Sequence, residues 1–134
     1  MAVLFFYGTL RDAEVRRAVT GRDIPVETAW LPGFRCVPVA GKSYPMLIPD
    51  RPGWAEGVLA HDVGPAALRR LIGYEGPEYR LASAAFVKAD ALPVRARLFM
   101  TRSGVAGDPS RSWDLKEWQE SWKRGLLSRM PGWR

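Results

Sequence analysis

Glu75, within Tyr74-Glu75-Gly76-Pro77-Glu78-Tyr79-Arg80, has the residue type and neighbours best suited to acid–base chemistry in this chain. A carboxylate at the negative end of a helix, screened from water by aromatic rings, titrates above its reference value of about 4.3. A value nearer about 6 suits a group that takes and returns a proton near neutral pH. Near the N-terminus, Tyr7-Gly8-Thr9-Leu10 closes an apolar run. A strand passing through a glycine into a helix leaves backbone N–H groups without internal partners, and these can hold a carboxylate or a developing oxyanion. Gly8 lets a ligand approach the backbone. A carboxylate beside such donors suffices for acyl transfer without a metal or a nucleophilic side chain. Each stretch alone also reads as ordinary structure: a plain turn in the first case, and in the second a loop cap or an ion pair with Arg80.

Other chemistries are poorly supplied. One histidine, His61, and one cysteine, Cys36, make neither a Cys–His dyad with an orienting partner nor a clustered zinc site easy to assemble. His61 reads as a surface residue and Cys36 as a small core residue in a strand. Glu78 is a second candidate for acid–base work, but it follows Pro77 and is expected to face solvent. No phosphate-binding glycine loop or dinucleotide fingerprint occurs.

Several elements must position these residues. Residues 2–6 are a continuous apolar run suited to a buried strand. Asp12 can cap a helix through about Thr20, with Val15, Ala18 and Val19 on one face and Gly21 as its stop. Strands are expected over Val26–Leu31 and Phe34–Val39, joined by a Pro32-Gly33 turn. Lys42-Ser43-Tyr44-Pro45 reads as a loop and Met46-Leu47-Ile48 as a short strand. Pro49-Asp50-Arg51-Pro52-Gly53 breaks the chain before a strand from Trp54 to Ala60. Gly64-Pro65 starts a helix carrying Leu68, Leu71 and Ile72 at helical spacing, which ends at Gly73 or Gly76 and delivers Glu75 just past its C-terminus. Tyr79–Lys88 and Val94–Met100 read as strands, and Gly104–Ser110 as a polar turn region. In the second strand, Val94, Ala96, Leu98 and Met100 alternate with Arg95 and Arg97. A final amphipathic helix bears Leu115, Trp118, Trp122 and Leu126 as one apolar stripe, acidic at its start and basic at its end as the helix dipole favours. Trp113, Trp118, Trp122 and Trp133 crowd this tail, which reads as docked on the body of the domain, with a membrane or partner surface as the alternative.

Together these stretches resemble the gamma-glutamylcyclotransferase-like family over nearly the whole chain. The resemblance runs through Phe6-Tyr7-Gly8-Thr9-Leu10-Arg11, Gly41-Lys42-Ser43-Tyr44-Pro45, Ala55-Glu56-Gly57-Val58-Leu59 and the segment from Tyr74 to Arg80. It implies an α+β fold, a small mixed β-barrel with flanking helices. It also implies a cofactor-independent reaction in which the α-amine of a γ-glutamyl compound attacks its own γ-amide carbonyl, giving 5-oxoproline and a free amine. By resemblance Glu75 is the acid–base residue. Tyr7, Gly8, Thr9 and Leu10 supply backbone donors to the glutamyl moiety, and Tyr44 and Tyr79 wall the pocket. Many relatives carry an aspartate three residues before the catalytic glutamate, where this chain has Ile72.

At 134 residues, with 47% apolar and 25% charged residues, the chain reads as one globular domain spanning 1–134. No run approaches the roughly 20 apolar residues that span a membrane. The first strand has no basic residue before it and does not read as a signal peptide. With a single cysteine and no export signal, a cytoplasmic location is expected. The formal charge of +6 comes mostly from scattered arginine, with no basic tract or nucleic-acid motif, so no nucleic-acid partner is expected. No metal or cofactor is expected, and the oligomeric state is left open. Two rival readings remain: a binding module of the same fold that turns nothing over, and a basic nucleic-acid-binding protein using the Trp- and Arg-rich tail.

Overall fold

The N-terminal run is strand β1 (Ala2–Phe6), and it is apolar throughout because both of its faces are covered. In the computed structural model, which describes residues 2–90 and 92–130, Phe5 points into the barrel beside Leu59, Ala29 and Leu98. Leu4 and Phe6 point the other way, under the helices, against Leu10, Val15, Leu71 and Trp118. Period-two alternation therefore sends alternate residues of one strand into two different cores. Phe5 and Leu4 are among the largest fully buried side chains, each worth about 1.5–3 kcal/mol over an exposed position.

After β1 come a 3₁₀ turn (Thr9–Arg11) and helix α1 (Ala13–Thr20). Strands β2 (Val26–Pro38) and β3 (Pro45–Val63) precede helix α2 (Pro65–Glu75), and strands β4 (Tyr79–Ala89) and β5 (Leu92–Thr101) come after it. The sheet order is β1-β3-β2-β4-β5, antiparallel except where β1 meets β5 in parallel at Leu4 and Arg97. That contact and the Trp30–Lys88 pairing of β2 with β4 close the mixed barrel through two narrow seams. The result is the expected α+β architecture.

Two expected chain breaks are interruptions inside longer strands. β2 continues through Pro32-Gly33, where Gly33 adopts φ 86° and the register shifts. Opposite it, Pro32 pairs with Trp54 and Phe34 with Pro49, so residues 50–53 lie outside the regular register of β3. Proline and glycine cluster where the register shifts, which is where a ladder tolerates them. Turn signals reflect local chemistry, whereas the flanking segments all pair with one continuous partner.

The helices follow their signals with exceptions. Asp12 caps α1 by accepting from Val15 N at 3.0 Å, and Gly21 ends it. Along α2 the buried positions are Ala67 and Leu71, while Ile72, expected on the apolar face, is 47% exposed. The final helix is not uniform: α3 (Leu115–Trp118) and α4 (Arg124–Ser128) are joined by a π-helical turn (Gln119–Lys123). The wider turn rotates the residues beyond it. Trp118 and Leu127 are the buried anchors, and Trp122, expected on the buried stripe, is 57% exposed.

This helix docks on its own domain. Gln119 Nε2 and Lys123 Nζ both reach Asp12 Oδ2 at 2.8 Å, and Trp113 Nε1 donates to Ser43 O at 2.8 Å. Burial alone would raise the Asp12 pKa, but the hydrogen bonds from Lys123, Val15 N and Gln119 outweigh it and hold the group below its usual value. Trp133 lies outside the described residues.

Candidate active site

Between the barrel and the C-terminal helix lies a cavity of ≈ 340 Å³. Tyr7, Gly8, Thr9, Leu10, Tyr44, Glu75 and Tyr79 all line it, so residues far apart in the chain share one space.

The Tyr7–Leu10 segment takes its shape from the passage of β1 into the 3₁₀ turn. Tyr7 is buried and its hydroxyl donates to Phe99 O, fixing the end of the strand. The first hydrogen bond of the 3₁₀ turn runs from Arg11 N to Gly8 O at 3.0 Å. The N–H groups of Gly8, Thr9 and Leu10 precede it and find no acceptor among the described residues. Gly8 also packs under Pro45, whose Cγ would stand 2.9 Å from any Cβ there. Buried Arg16 holds the turn from behind, donating to Leu10 O at 3.0 Å and to Arg11 O at 2.7 Å. By sequence, Arg16 is one of many scattered cations; its position one turn into α1, facing back onto the preceding loop, is the clue the chain offers.

Glu75 is the last residue of α2, not the first residue beyond it. Gly76, at φ 78°, then turns the chain away, a conformation that disfavours any other residue. Among the described residues nothing donates a hydrogen bond or an opposing charge to the Glu75 carboxylate. Burial therefore acts unopposed and pushes its pKa up to about 8. Arg80, the sequence candidate for an ion-pair partner, is exposed and does not meet it.

Four tyrosines, Tyr7, Tyr44, Tyr74 and Tyr79, line the cavity with this carboxyl. Tyr74 OH shares a hydrogen bond of 2.6 Å with Thr9 Oγ1, tying the two motifs together. Tyr79 OH donates to Pro45 O, and its ring lies 6.3 Å from that of Tyr44 at 59°. Tyr44 OH donates to the Glu78 carboxylate. Burial, and then the hydrogen bond to that carboxylate, push the Tyr44 hydroxyl up to about 12. Glu78 is thus a half-buried residue of the cavity wall, not the solvent-facing one expected. The turn closed by Tyr79 N to Gly76 O, 3.3 Å, brings it back beside Tyr44. Tyr74 belongs to the sequence motif without being assigned to the site, and Glu78, the second carboxylate candidate by sequence, lines the cavity instead of facing solvent.

Trp118, Trp122, Leu126 and Arg129 complete the opposite wall. The stripe on the last helix therefore serves the cavity as much as the core, which spacing alone could not distinguish. Cys36 and His61 lie outside the cavity lining. The Cys36 thiol is half-buried, and burial pushes it up to about 12, the wrong direction for a thiolate. His61 is exposed and paired with Glu27 at 2.5 Å. Among the described residues no three His, Cys, Asp or Glu side chains cluster as a metal site, and no helix is long and apolar enough to cross a membrane.

Comparison with known proteins adds a family to this geometry. Residues 4–122 match the family model described as gamma-glutamyl cyclotransferase, AIG2-like. AIG2-like protein A of Arabidopsis thaliana is 26% identical over 125 residues, covering 92% of this chain and 76% of the relative. AIG2-like protein D of the same plant is 25% identical over 129 residues, covering 95% and 85%. Among solved structures, an Arabidopsis thaliana protein determined in solution superposes with a TM-score of 0.70 at 24% identity, covering 95% of this chain and 86% of that one. A gamma-glutamyl cyclotransferase superposes at 0.60 with 13% identity, covering 79% and 69%, which supports the fold alone. With the family model spanning nearly the whole chain, this protein belongs to the gamma-glutamyl cyclotransferase, AIG2-like family.

Proposed function

We propose that this protein is a cyclotransferase that converts a small γ-glutamyl compound to 5-oxoproline and a free amine, with Glu75 as the acid–base residue. The observation that carries the reading is a carboxyl that has no partner among the described residues and is pushed up to about 8 by burial, on the wall of a cavity that also holds backbone N–H groups unengaged by those residues. The cavity, ≈ 340 Å³, is at the small end of ligand sites, roughly 300–1,000 Å³, as a dipeptide-sized substrate requires.

The chemistry builds on these parts. Glu75 accepts a proton from the substrate α-ammonium, whose ordinary pKa of about 8 is close to its own. The freed amine attacks the γ-carbonyl carbon, forming the ring C–N bond and placing negative charge on the carbonyl oxygen. The N–H groups of the Gly8–Leu10 turn are suited to accept that charge. Collapse breaks the original amide bond as the proton held by Glu75 goes to the departing nitrogen. The freed Glu75 carboxylate then takes the second proton from the ring nitrogen and passes it to the released amine, which leaves as an ammonium. Because nucleophile and carbonyl belong to one molecule, the protein has only to hold the substrate folded. Tyr44 and Tyr79 would wall the glutamyl part.

The test is release of 5-oxoproline from γ-glutamyl-alanine, γ-glutamyl-ε-lysine, a γ-glutamylamine and glutathione, by wild type and Glu75→Gln. Turnover of any one that disappears in the variant supports the reading. Equal turnover by the variant would remove Glu75 from its role, and silence across the panel from folded protein would favour a binding module.

A further inference from the structure

The cavity has a buried floor and an open rim, and they differ in charge. Phe6, Tyr7 and Leu10 at the floor are 3%, 5% and 2% exposed. Trp122, 57% exposed, and the exposed Arg129 stand at the rim. Trp122, Leu126 and Arg129 succeed one another at helical spacing on a single face of the last helix. The Arg129 guanidinium folds back along that helix over Gly125, its Nη1 3.7 Å from where a Cβ would stand. Arg129 is the only cation among the described residues lining the cavity, and its guanidinium forms no ion pair or hydrogen bond with any described residue. The lining carboxyls are Glu75 and Glu78, and Glu78 is engaged by Tyr44.

A γ-glutamyl compound must place its scissile carbonyl at Glu75, within the cavity, so the group beyond the scissile bond points to the rim. We infer that Arg129 and Trp122 form the subsite for the leaving amine, and that they favour an amino acid carrying a free carboxylate and an apolar side chain. Arg129 pairs with the carboxylate, and the Trp122 indole covers the side chain. A leaving amine without a carboxylate gains nothing from Arg129, and a second ammonium there is repelled. The inference rests on the cyclotransferase reading and names its substrate class.

The experiment compares γ-glutamyl-phenylalanine, its C-terminal amide and γ-glutamyl-butylamine as substrates for wild type and Arg129→Gln. Wild type is expected to prefer the acid over the amide about fivefold, mainly in KM, as a rim ion pair allows. Arg129→Gln should bring that ratio close to one, and raised salt should narrow it in wild type. Calorimetric titration of Glu75→Gln with the acid and the amide asks the same question without turnover, and tighter binding of the acid is expected. If 5-oxoproline is released equally from acid and amide, this subsite is overturned while the cyclotransferase reading stands. If no compound is turned over yet the acid still binds more tightly, the subsite stands and the catalytic reading falls. Equal or absent binding in the titration overturns the subsite whatever the turnover.

Discussion

On the barrel side of the cavity the hydroxyls of Tyr7, Tyr44, Tyr74 and Tyr79 all have partners within the protein: Phe99 O, Glu78, Thr9 and Pro45 O. On the helix side, the Trp122 indole and the Arg129 guanidinium have no hydrogen-bond or ion-pair partner among the described residues. The barrel wall is pre-organised, its rings and turn held before any ligand arrives, which favours catalytic geometry over adaptability. The helix wall is anchored by Trp118 and Leu127 and leaves its rim groups uncommitted, as a surface that selects between ligands would be. Within the barrel wall one group breaks the pattern: the Glu75 carboxyl, desolvated and without a partner among the described residues, carries a cost that no contact there offsets.

That contrast can be broken experimentally. The largest expected effect is on the reaction: Glu75→Gln should lower kcat about a thousandfold, within the range of general acid–base catalysis, with substrate still bound. Wild-type kcat/KM should rise with pH toward Glu75's value of about 8, and the deficit of the variant should be largest where the substrate amine is still protonated and needs a base. Next is the anchor of the helix wall. Trp118→Ala should cost about 3–5 kcal/mol in urea unfolding, while Trp122→Ala, at the exposed rim, should stay within about 0.5 kcal/mol. Equal costs would mean that the two tryptophans do not divide anchor from rim. Asp12→Ala removes the cap of α1 and the acceptor shared by Gln119 and Lys123, and about 2 kcal/mol should be lost.

The smallest effect is thermal and pH-dependent. The folded-state pKa of Glu75 is raised to about 8 from 4.5, so between these values the folded protein holds a proton that the unfolded chain has released. Its ionisation thus destabilises the fold increasingly from about pH 4.5 to 8 and by a constant amount above. Glu75→Gln escapes that cost, so its Tm should be close to wild type at pH 5 and higher by about 3 °C or more at pH 9. A Tm difference that stays flat across this range would mean that the carboxyl is hydrated or paired in solution.

Much of the barrel side was legible in the chain. The Tyr7–Leu10 turn, the Asp12 cap, Pro65 at the start of α2 and the aromatic setting of Glu75 are local signals, made by residues adjacent in sequence. What failed was local evidence asked to settle a non-local matter. Pro32-Gly33 and Pro49–Gly53 carry turn chemistry, yet the pairing of β2 with β3 extends across both. Glu78 comes after a proline as a surface residue often does, but its wall depends on Tyr44, 34 positions away. The apolar stripe on the last helix is a stripe in fact, but the π-helical turn decides that Leu127 is buried and Trp122 is not.

By itself, then, the sequence determined the element types, the residues able to do acid–base chemistry and, through its motifs, the family. Periodicity, caps and turn residues act over a few positions, and so can be read from order alone. The tertiary structure decided that the two motifs share a cavity, that Glu75 meets no partner among the described residues, that Arg16 backs the turn, and that the last helix supplies the rim. Those facts depend on which surfaces meet when the barrel closes and on how much water they exclude. Burial sets the pKa of Glu75, and no spacing along the chain encodes it.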